Sequence, residues 1–216
     1  MGLNHPAEPP HASWSGITNH GHGVQFYSDD STLAALLTGY AGSALIHGGA
    51  AIVIATPAHR EALSACLRQR GFDPAIPKRQ GRYIALDAAE TLRRFWVNGQ
   101  LDAVRFQETL GGVLKAARAA TGNDRAPIAA FGEMVALLWV AGQTAAALQL
   151  EELWNDLLHD QPFSLCCAYP MQLFDGNDAG PFLRICAQHS HVFPAEQRRP
   201  SRLYMWDDNT NVAVSS

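Results

Sequence analysis

Several short runs of the chain are apolar at every position, a pattern typical of strands that are covered on both faces of a sheet. The clearest are AAIVIAT, which begins at Ala50, and FSLCCAYPM, which begins at Phe163. A strand with one face in water would alternate apolar and polar residues instead. Stretches with apolar residues at helical spacing separate these runs. The alternation predicts a three-layer α/β domain whose sheet is mainly parallel, with roughly five strands and helices on both faces.

Each predicted strand stops at a polar residue or a proline. The predicted strands are Gly23–Tyr27, Ala50–Thr56, Tyr83–Leu86, the run IAAF from Ile128, and the run that ends at Pro170. Residues Ala88 to Trp96 are predicted to be helical, and Pro181 to Phe193 to form the last helix. An alternative architecture adds an antiparallel edge strand from Leu203 to Val214.

The pattern divides the chain into three parts. Residues 1–21, rich in Pro, His, Gly and Ser, are predicted to be a disordered lead-in, 22–196 the folded domain, and 197–216 a C-terminal tail. With 216 residues, of which 47% are hydrophobic, the chain can build one sizeable core. No segment approaches the roughly 20 apolar residues of a membrane span, and the N-terminus lacks the pattern of a signal peptide. We therefore expect no membrane partner.

Charge and cysteine content limit the kinds of partner and the cellular compartment that we expect for this chain. The net charge is −4 and only 17% of residues are charged, so no broad basic surface is available for direct nucleic-acid binding. The four cysteines show no C-x-x-C spacing. They are predicted to be reduced, buried side chains of a cytoplasmic protein.

Polar residues that follow the predicted strands mark a candidate ligand site. Open parallel sheets bind ligands beyond the carboxyl ends of their strands, where the strand order reverses. The residues predicted to converge there are Tyr27, Asp29, Asp30, Thr56, His59, Arg60, Asp87, Glu133, Met134 and Tyr169. The alternative is structural: Asp30, Thr56 and Asp87 would only cap helices, and Tyr27 would only pack in the core.

Glu133 is the most informative of these residues. It lies between the apolar runs IAAF and MVALLW, so its carboxylate is predicted to be partly buried and to need a partner, either Arg60 or Lys115. A buried ion pair, a cap and a ligand contact all remain open. Trp139 and Trp154 lie on apolar helical stripes and are predicted to belong to the core.

Metal binding and catalysis are not predicted. His20/His22 and His189/His191 have H-x-H spacing, which on a strand places two imidazoles on one face, but no Asp, Glu or Cys nearby in sequence completes a ligand set. Cys166 and Cys167 lie in an apolar strand, where burial makes thiols inert. No G-x-S-x-G motif is present. We expect no metal, no cofactor and no enzyme activity.

Seven motifs occur in a fixed order within residues 20–196: HGVQFYSDD, AIVIATPAHREAL, GRYIALDAAETL, AFGEMVALLW, LQLEELWNDL, FSLCCAYPM and ICAQHSHVFPAE. Together they resemble the MEDS family of sensory domains, named for methanogens, methylotrophs and a dichloromethane-responsive regulator. The resemblance implies a sensor of small hydrocarbon derivatives that takes a small, largely apolar organic ligand. It also implies a separate output protein, a histidine kinase or transcription regulator, since neither module is recognised in the sequence. Whether the chain forms a homodimer is left open.

A second likeness is to the RecA-like, clock-ATPase branch of P-loop proteins. The position of the phosphate loop is held by YSDDST, from Tyr27 to Thr32. Such a loop needs glycine-rich backbone and a lysine, whereas Asp29 and Asp30 would repel a triphosphate. The likeness implies a RecA-like scaffold that lacks the phosphate loop. The alternative function is a divergent ATPase in which Glu133 activates water and Thr32 or Thr56 holds Mg²⁺.

Overall fold

The computed structural model describes residues 21–174 and 179–195, and strands and helices alternate along these ranges. The predicted C-terminal tail, its alternative strand Leu203–Val214, and all of the predicted lead-in except residue 21 lie outside them. The elements in chain order are β1 (His22–Tyr27), α1 (Asp30–Ile46), β2 (Ala50–Ala55), α2 (Pro57–Gln69), α3 (Ala75–Arg79), β3 (Tyr83–Asp87), α4 (Ala88–Arg93), β4 (Trp96–Val97), β5 (Gln100–Leu101), α5 (Ala103–Thr121), β6 (Ile128–Gly132), α6 (Met134–Val140), α7 (Thr144–Asp160), β7 (Ser164–Pro170), α8 (Gly180–Ala187) and β8 (His191–Phe193).

Six of the strands form one sheet in the order β3-β2-β6-β7-β1-β8, and every neighbouring pair is parallel. The predicted three-layer α/β architecture is confirmed. The strands at the centre of the sheet, β2, β6 and β7, are the continuous apolar runs, as expected where helices cover both faces.

The sixth strand corrects a prediction. Pro181–Phe193 was expected to be one helix, but α8 ends at Ala187 and the chain then forms β8, with Gly23 of β1 paired to His191. The backbone N–H of Ser190 donates to the carbonyl of His22 at 2.8 Å. The open edge of β1 supplies hydrogen-bond partners that local helical spacing does not reveal.

Helices on the two faces enclose two separate cores. On one face α1 and α2 pack on the sheet through residues that include Leu37, Tyr40 and Leu63. On the other face α5 and α7 contribute Phe106 and Leu150 among others. Because side chains alternate along a strand, Phe26 enters the second core while Tyr27 enters the first. Trp139 and Trp154 are buried in the second core, as predicted.

A small hairpin replaces the end of a predicted helix. Helix α4 stops at Arg93, and β4 and β5 then pair antiparallel around Asn98 and Gly99, whose φ angles are 51° and 80°. Asn-Gly with positive φ at both positions is typical of two-residue hairpin turns. This dipeptide was the sequence signal that the expectation of helix through Trp96 overlooked.

The turns that follow β1, β2 and β3 lead directly into capped helices at one edge of the sheet. Asp29 caps α1, Thr56 caps α2 with Pro57 in the first turn, and Asp87 caps α4. The predicted capping roles of Thr56 and Asp87 are therefore confirmed, while the cap of α1 is Asp29 and not Asp30. Among the described helices, none combines the length and apolar character that a membrane span requires.

Candidate functional site

Five residues from four parts of the fold meet at the carboxyl edge of the sheet. We call Tyr27, Asp30, Thr56, His59 and Glu133 the strand-end cluster. Tyr27 ends β1 and Asp30 begins α1, whereas Thr56 and His59 lie at the start of α2 and Glu133 follows β6. The cluster brings together five of the ten residues that the sequence placed in a ligand site.

Glu133 and His59 form the centre of the cluster. The Glu133 carboxylate is 3% exposed, and its Oε1 contacts Nδ1 of His59 in a buried ion pair. Its Oε2 accepts from the backbone N–H of Thr56 at 2.7 Å. The backbone N–H of Glu133 donates to the carbonyl of Ile54 at 3.0 Å. The end of β2, the start of α2 and the turn after β6 are thereby linked through one carboxylate.

The partner of Glu133 corrects the sequence-based expectation of Arg60 or Lys115. Arg60 turns toward β3, where its guanidinium contacts Asp87 at 3.0 Å. Lys115 lies on α5, whose buried residues belong to the opposite core. Glu133 precedes α6 but makes no capping hydrogen bond there. The structure therefore shows the buried ion pair and not the helix cap, and the ligand contact stays a prediction.

His59 also contacts the first helix. Its Nε2 lies 3.2 Å from a carboxylate oxygen of Asp30, whose side chain is largely exposed. The hydrogen bond to Glu133 is the main cause that raises the pKa of His59 from its usual 6.5 to about 9, against the opposing effect of burial, with Asp30 adding to the rise. The imidazole therefore carries a proton at neutral pH and is shared by two carboxylates.

Tyr27 closes one side of the cluster. Its ring meets that of His59 edge to face, with centroids 6.1 Å apart. Burial, reinforced by the negative charges of Glu133 and Asp30, raises the pKa of the Tyr27 hydroxyl well above its usual value of 10. Tyr27 thus stays neutral and offers a hydrogen-bonding hydroxyl beside an ion pair.

Asp29 acts as a helix cap. Its carboxylate accepts from the backbone N–H and the hydroxyl of Thr32, each at 2.9 Å, and from the hydroxyl of Ser31. These bonds, led by that from Ser31, lower the pKa of Asp29 to about 2. An ionised side chain of the protein itself therefore satisfies the N-terminus of α1.

Two other predicted residues do not join the cluster. Met134 and Tyr169 are fully buried in the core beneath α5 and α7, on the opposite face from Tyr27 and His59. The Tyr169 hydroxyl donates to Glu151 at 2.7 Å. Both residues lie close to the end of a predicted strand in sequence. Tyr169 faces the core because side chains alternate along β7, and Met134 faces it because it begins α6.

Arg60 and Asp87 lie beside the cluster. Arg60 Nε also donates to the carbonyl of Ala55 at 3.2 Å, so the pair fastens the end of β2 to the end of β3. Arg60 further lines a cleft of about 370 Å³ between α2, α3 and β3, together with Ser64 and Lys78. The pair supports the edge of the cluster without contacting His59 or Glu133 in the described contacts.

A match to a known family covers most of the sequence. The description "MEthanogen/methylotroph, DcmR Sensory domain" matches residues 21–186, well over half of the chain. The chain belongs to the MEDS family. The predicted resemblance is therefore confirmed, and with it a sensory role for this MEDS domain. A comparison with curated proteins found no match.

Proposed function

We propose that this MEDS domain is a non-catalytic cytoplasmic sensor that takes a small, largely apolar organic ligand at the strand-end cluster and signals to a separate output protein. Family membership supports the sensory role. The observation that carries the location is the linked set Asp30, His59 and Glu133, which joins α1, α2 and the end of β6. A ligand that disturbs one contact acts on all three elements.

The charges of the cluster favour a weakly polar ligand. Two carboxylates, Asp30 and Glu133, share the single positive charge of His59, which leaves a negative excess. Such a site repels phosphate esters and has no unpaired cation to offer a carboxylate ligand. The ring and hydroxyl of Tyr27 provide an apolar surface with one polar point, as small organic ligands require.

The same turn argues against the alternative, a divergent RecA-like ATPase. A phosphate would need the free N–H groups at the start of α1, but the Asp29 carboxylate already accepts from Thr32 there. The Thr32 hydroxyl, an expected Mg²⁺ ligand in that alternative, also donates to Asp29. The RecA-like origin of the scaffold remains a proposal, as does the output partner, a histidine kinase or transcription regulator. The four cysteines are free thiols, which supports the proposed cytoplasmic setting.

Thermal-shift screening of the full chain with halogenated and one-carbon compounds tests the proposal. A compound that binds the folded state must raise the unfolding midpoint in a concentration-dependent way. We expect Tyr27→Phe and Asp30→Asn to lose most of that increase. Tyr83→Phe is the matched control, because Tyr83 is a buried tyrosine on edge strand β3 and should keep the full increase.

Three results would contradict this function. The first is a screen in which no compound raises the unfolding midpoint. The second is a full increase that is retained in Tyr27→Phe and Asp30→Asn, which would show that the turn after β1 has a purely structural role. ATP that binds the wild type and fails to bind Glu133→Gln would support the ATPase instead.

A further inference from the structure

A second polar cluster lies at the other end of β1. His22, Glu151, Cys167 and His189, which we call the inner cluster, come from β1, α7, β7 and the turn after α8. The side chains of all four are almost completely buried, with Glu151 and Cys167 at 0% exposure. His22 and Tyr27 are five residues apart on one strand, roughly 16 Å, so the two clusters are separate. The inner cluster does not depend on the proposed sensory site.

The donor atoms of the other three side chains gather around Oε2 of Glu151. Nε2 of His22 lies 3.3 Å from Glu151 Oε2 and 3.4 Å from Cys167 Sγ, and Cys167 Sγ lies 3.2 Å from the same oxygen. Nε2 of His189 lies 3.5 Å from that oxygen, and all four donor atoms are within 4.8 Å of one another. Ligand atoms of a tetrahedral zinc ion are about 3.3–3.6 Å apart, given its bond lengths to nitrogen and sulfur. The spacing matches a metal-ligand set.

Hydrogen bonds outside the cluster orient both imidazoles for metal binding. Nδ1 of His22 lies 2.8 Å from Asn155 Oδ1, and Nδ1 of His189 lies 2.7 Å from the carbonyl of Ile185. Both acceptors are carbonyl oxygens, so each Nδ1 carries a proton, and a neutral ring then leaves the electron pair of its Nε2 free for a metal. Metal-binding histidines almost always donate their other N–H in this way.

Glu151 has the matching arrangement. Its Oε1 accepts from the Tyr169 hydroxyl, so Oε2 is the oxygen left for the point that the other three residues face.

One buried nitrogen of the inner cluster has an ionic contact with Glu151 but no hydrogen bond. Among the described residues, Nε2 of His189 has no hydrogen-bond partner, because the contact with Glu151 at 3.5 Å does not have hydrogen-bond geometry. An unpaired polar atom inside a protein costs free energy that a metal bond would recover. His22, His189 and Asn155 also line a cavity of about 600 Å³ beside the cluster.

The geometry points to a divalent transition-metal site, of the kind that holds Zn²⁺, with His22, Glu151, Cys167 and His189 as its ligands. Two imidazoles, one thiolate and one carboxylate are ligands that zinc accepts in a tetrahedral site. In the structure, the Cys167 thiol donates to Glu151, and metal binding releases that proton. The ion joins the turn between α8 and β8 to β1, β7 and α7, and so fixes the edge of the sheet.

Cobalt substitution of the untagged full chain tests this assignment. After removal of metals with a chelator, we expect one Co²⁺ per chain, with absorption from thiolate-to-cobalt charge transfer and strong d–d bands of four-coordinate geometry. Zn²⁺ should displace the cobalt and abolish both. Because this readout needs only the wild-type chain, it does not depend on whether a variant folds.

A pair of neighbouring cysteines supplies the matched control. Cys166 and Cys167 are equally buried on the same strand, but Cys166 points into the opposite core. We expect Cys167→Ala to lose the thiolate absorption and Cys166→Ala to retain it, and Asn155→Ala to weaken zinc binding about 10-fold or more. Cobalt bound without thiolate absorption, no uptake of cobalt or zinc, or equal loss in the two cysteine variants would each overturn the assignment.

Discussion

At the scale of single residues, His59 determines the properties of the strand-end cluster, because it is the one imidazole between Glu133 and Asp30. The flanking apolar runs were enough to predict that Glu133 is buried and needs a partner. They could not identify that partner, because His59 and Glu133 are 74 positions apart and meet only when β2 and β6 pair.

Stability should depend on the protonation of His59. Its pKa is about 9 in the folded chain and 6.5 in the unfolded one, so its contribution is complete below pH 6.5 and is lost as the pH rises through 9. We expect the difference in unfolding free energy between wild type and His59→Gln to shrink over this range by roughly 1–2 kcal/mol, allowing for solvent screening. Urea unfolding at several pH values measures it.

The exposed His47 provides a control for that experiment, because its imidazole contacts only the carbonyl of Ser43 among the described contacts. His47→Gln should leave the pH dependence of stability close to that of the wild type. A pH-independent difference between wild type and His59→Gln would contradict the ion pair with Glu133.

At the scale of elements, caps decide where helices begin, and tight turns decide where helices end and the next strand begins. Thr56-Pro57 and the glycines after α1 could be recognised from the sequence because their chemistry is local. The sequence could not show that Asp29 rather than Asp30 caps α1, because either aspartate can cap a helix. The extended backbone at Asp29 decides the choice.

The cap of α1 gives an acid-side prediction. The pKa of Asp29 is about 2 when folded and 3.8 in its usual state, so its contribution is present above pH 3.8 and is lost as the pH falls through 2. Asp29→Ala should lower the melting temperature at neutral pH. Asp29→Asn should keep a melting temperature close to that of the wild type, because asparagine also caps helices. Its melting temperature should fall less than that of the wild type between pH 4 and 2. An equal decline in Asp29→Asn and wild type would count against Asp29 as the titrating cap.

Two adjacent glycines between α1 and β2 should respond differently to alanine. Gly48 has a φ of 76° but open space around it, so Gly48→Ala should cost about 1 kcal/mol through backbone strain alone. At Gly49 an added Cβ would lie 2.0 Å from the carbonyl oxygen of Pro127. Gly49→Ala should therefore cost on the order of 3 kcal/mol, because backbone must move. Similar melting temperatures for the two variants would contradict the close approach.

At the scale of the whole molecule, the order of strands sets how strongly each is held. Strands β2, β6 and β7 have partners on both sides and helices on both faces, whereas β8 is a three-residue strand at the edge. Stability within one domain is not uniform, and edge elements open more readily than central ones.

Amide hydrogen exchange should follow that order. We expect the slowest exchange in β2, β6 and β7, and exchange in β8 faster by at least about 100-fold after correction for intrinsic rates. The paired backbone amides of β1, β8's only neighbour in the described sheet, serve as an internal reference. Equal protection of β8 and β6 would show that the edge is held by more than its described contacts.

The sequence by itself determined the class of fold, the central strands, most helix boundaries and the family, because apolar periodicity, caps and ordered motifs are properties of neighbouring residues. Only the tertiary structure decided which distant side chains meet. His22 and His189 each belong to an H-x-H pair for which no further ligand was found nearby in sequence, yet their rings lie 4.0 Å apart in the fold, together with Glu151 and Cys167. The strand order brings them together, and strand order depends on contacts between segments more than a hundred residues apart, which no local pattern specifies.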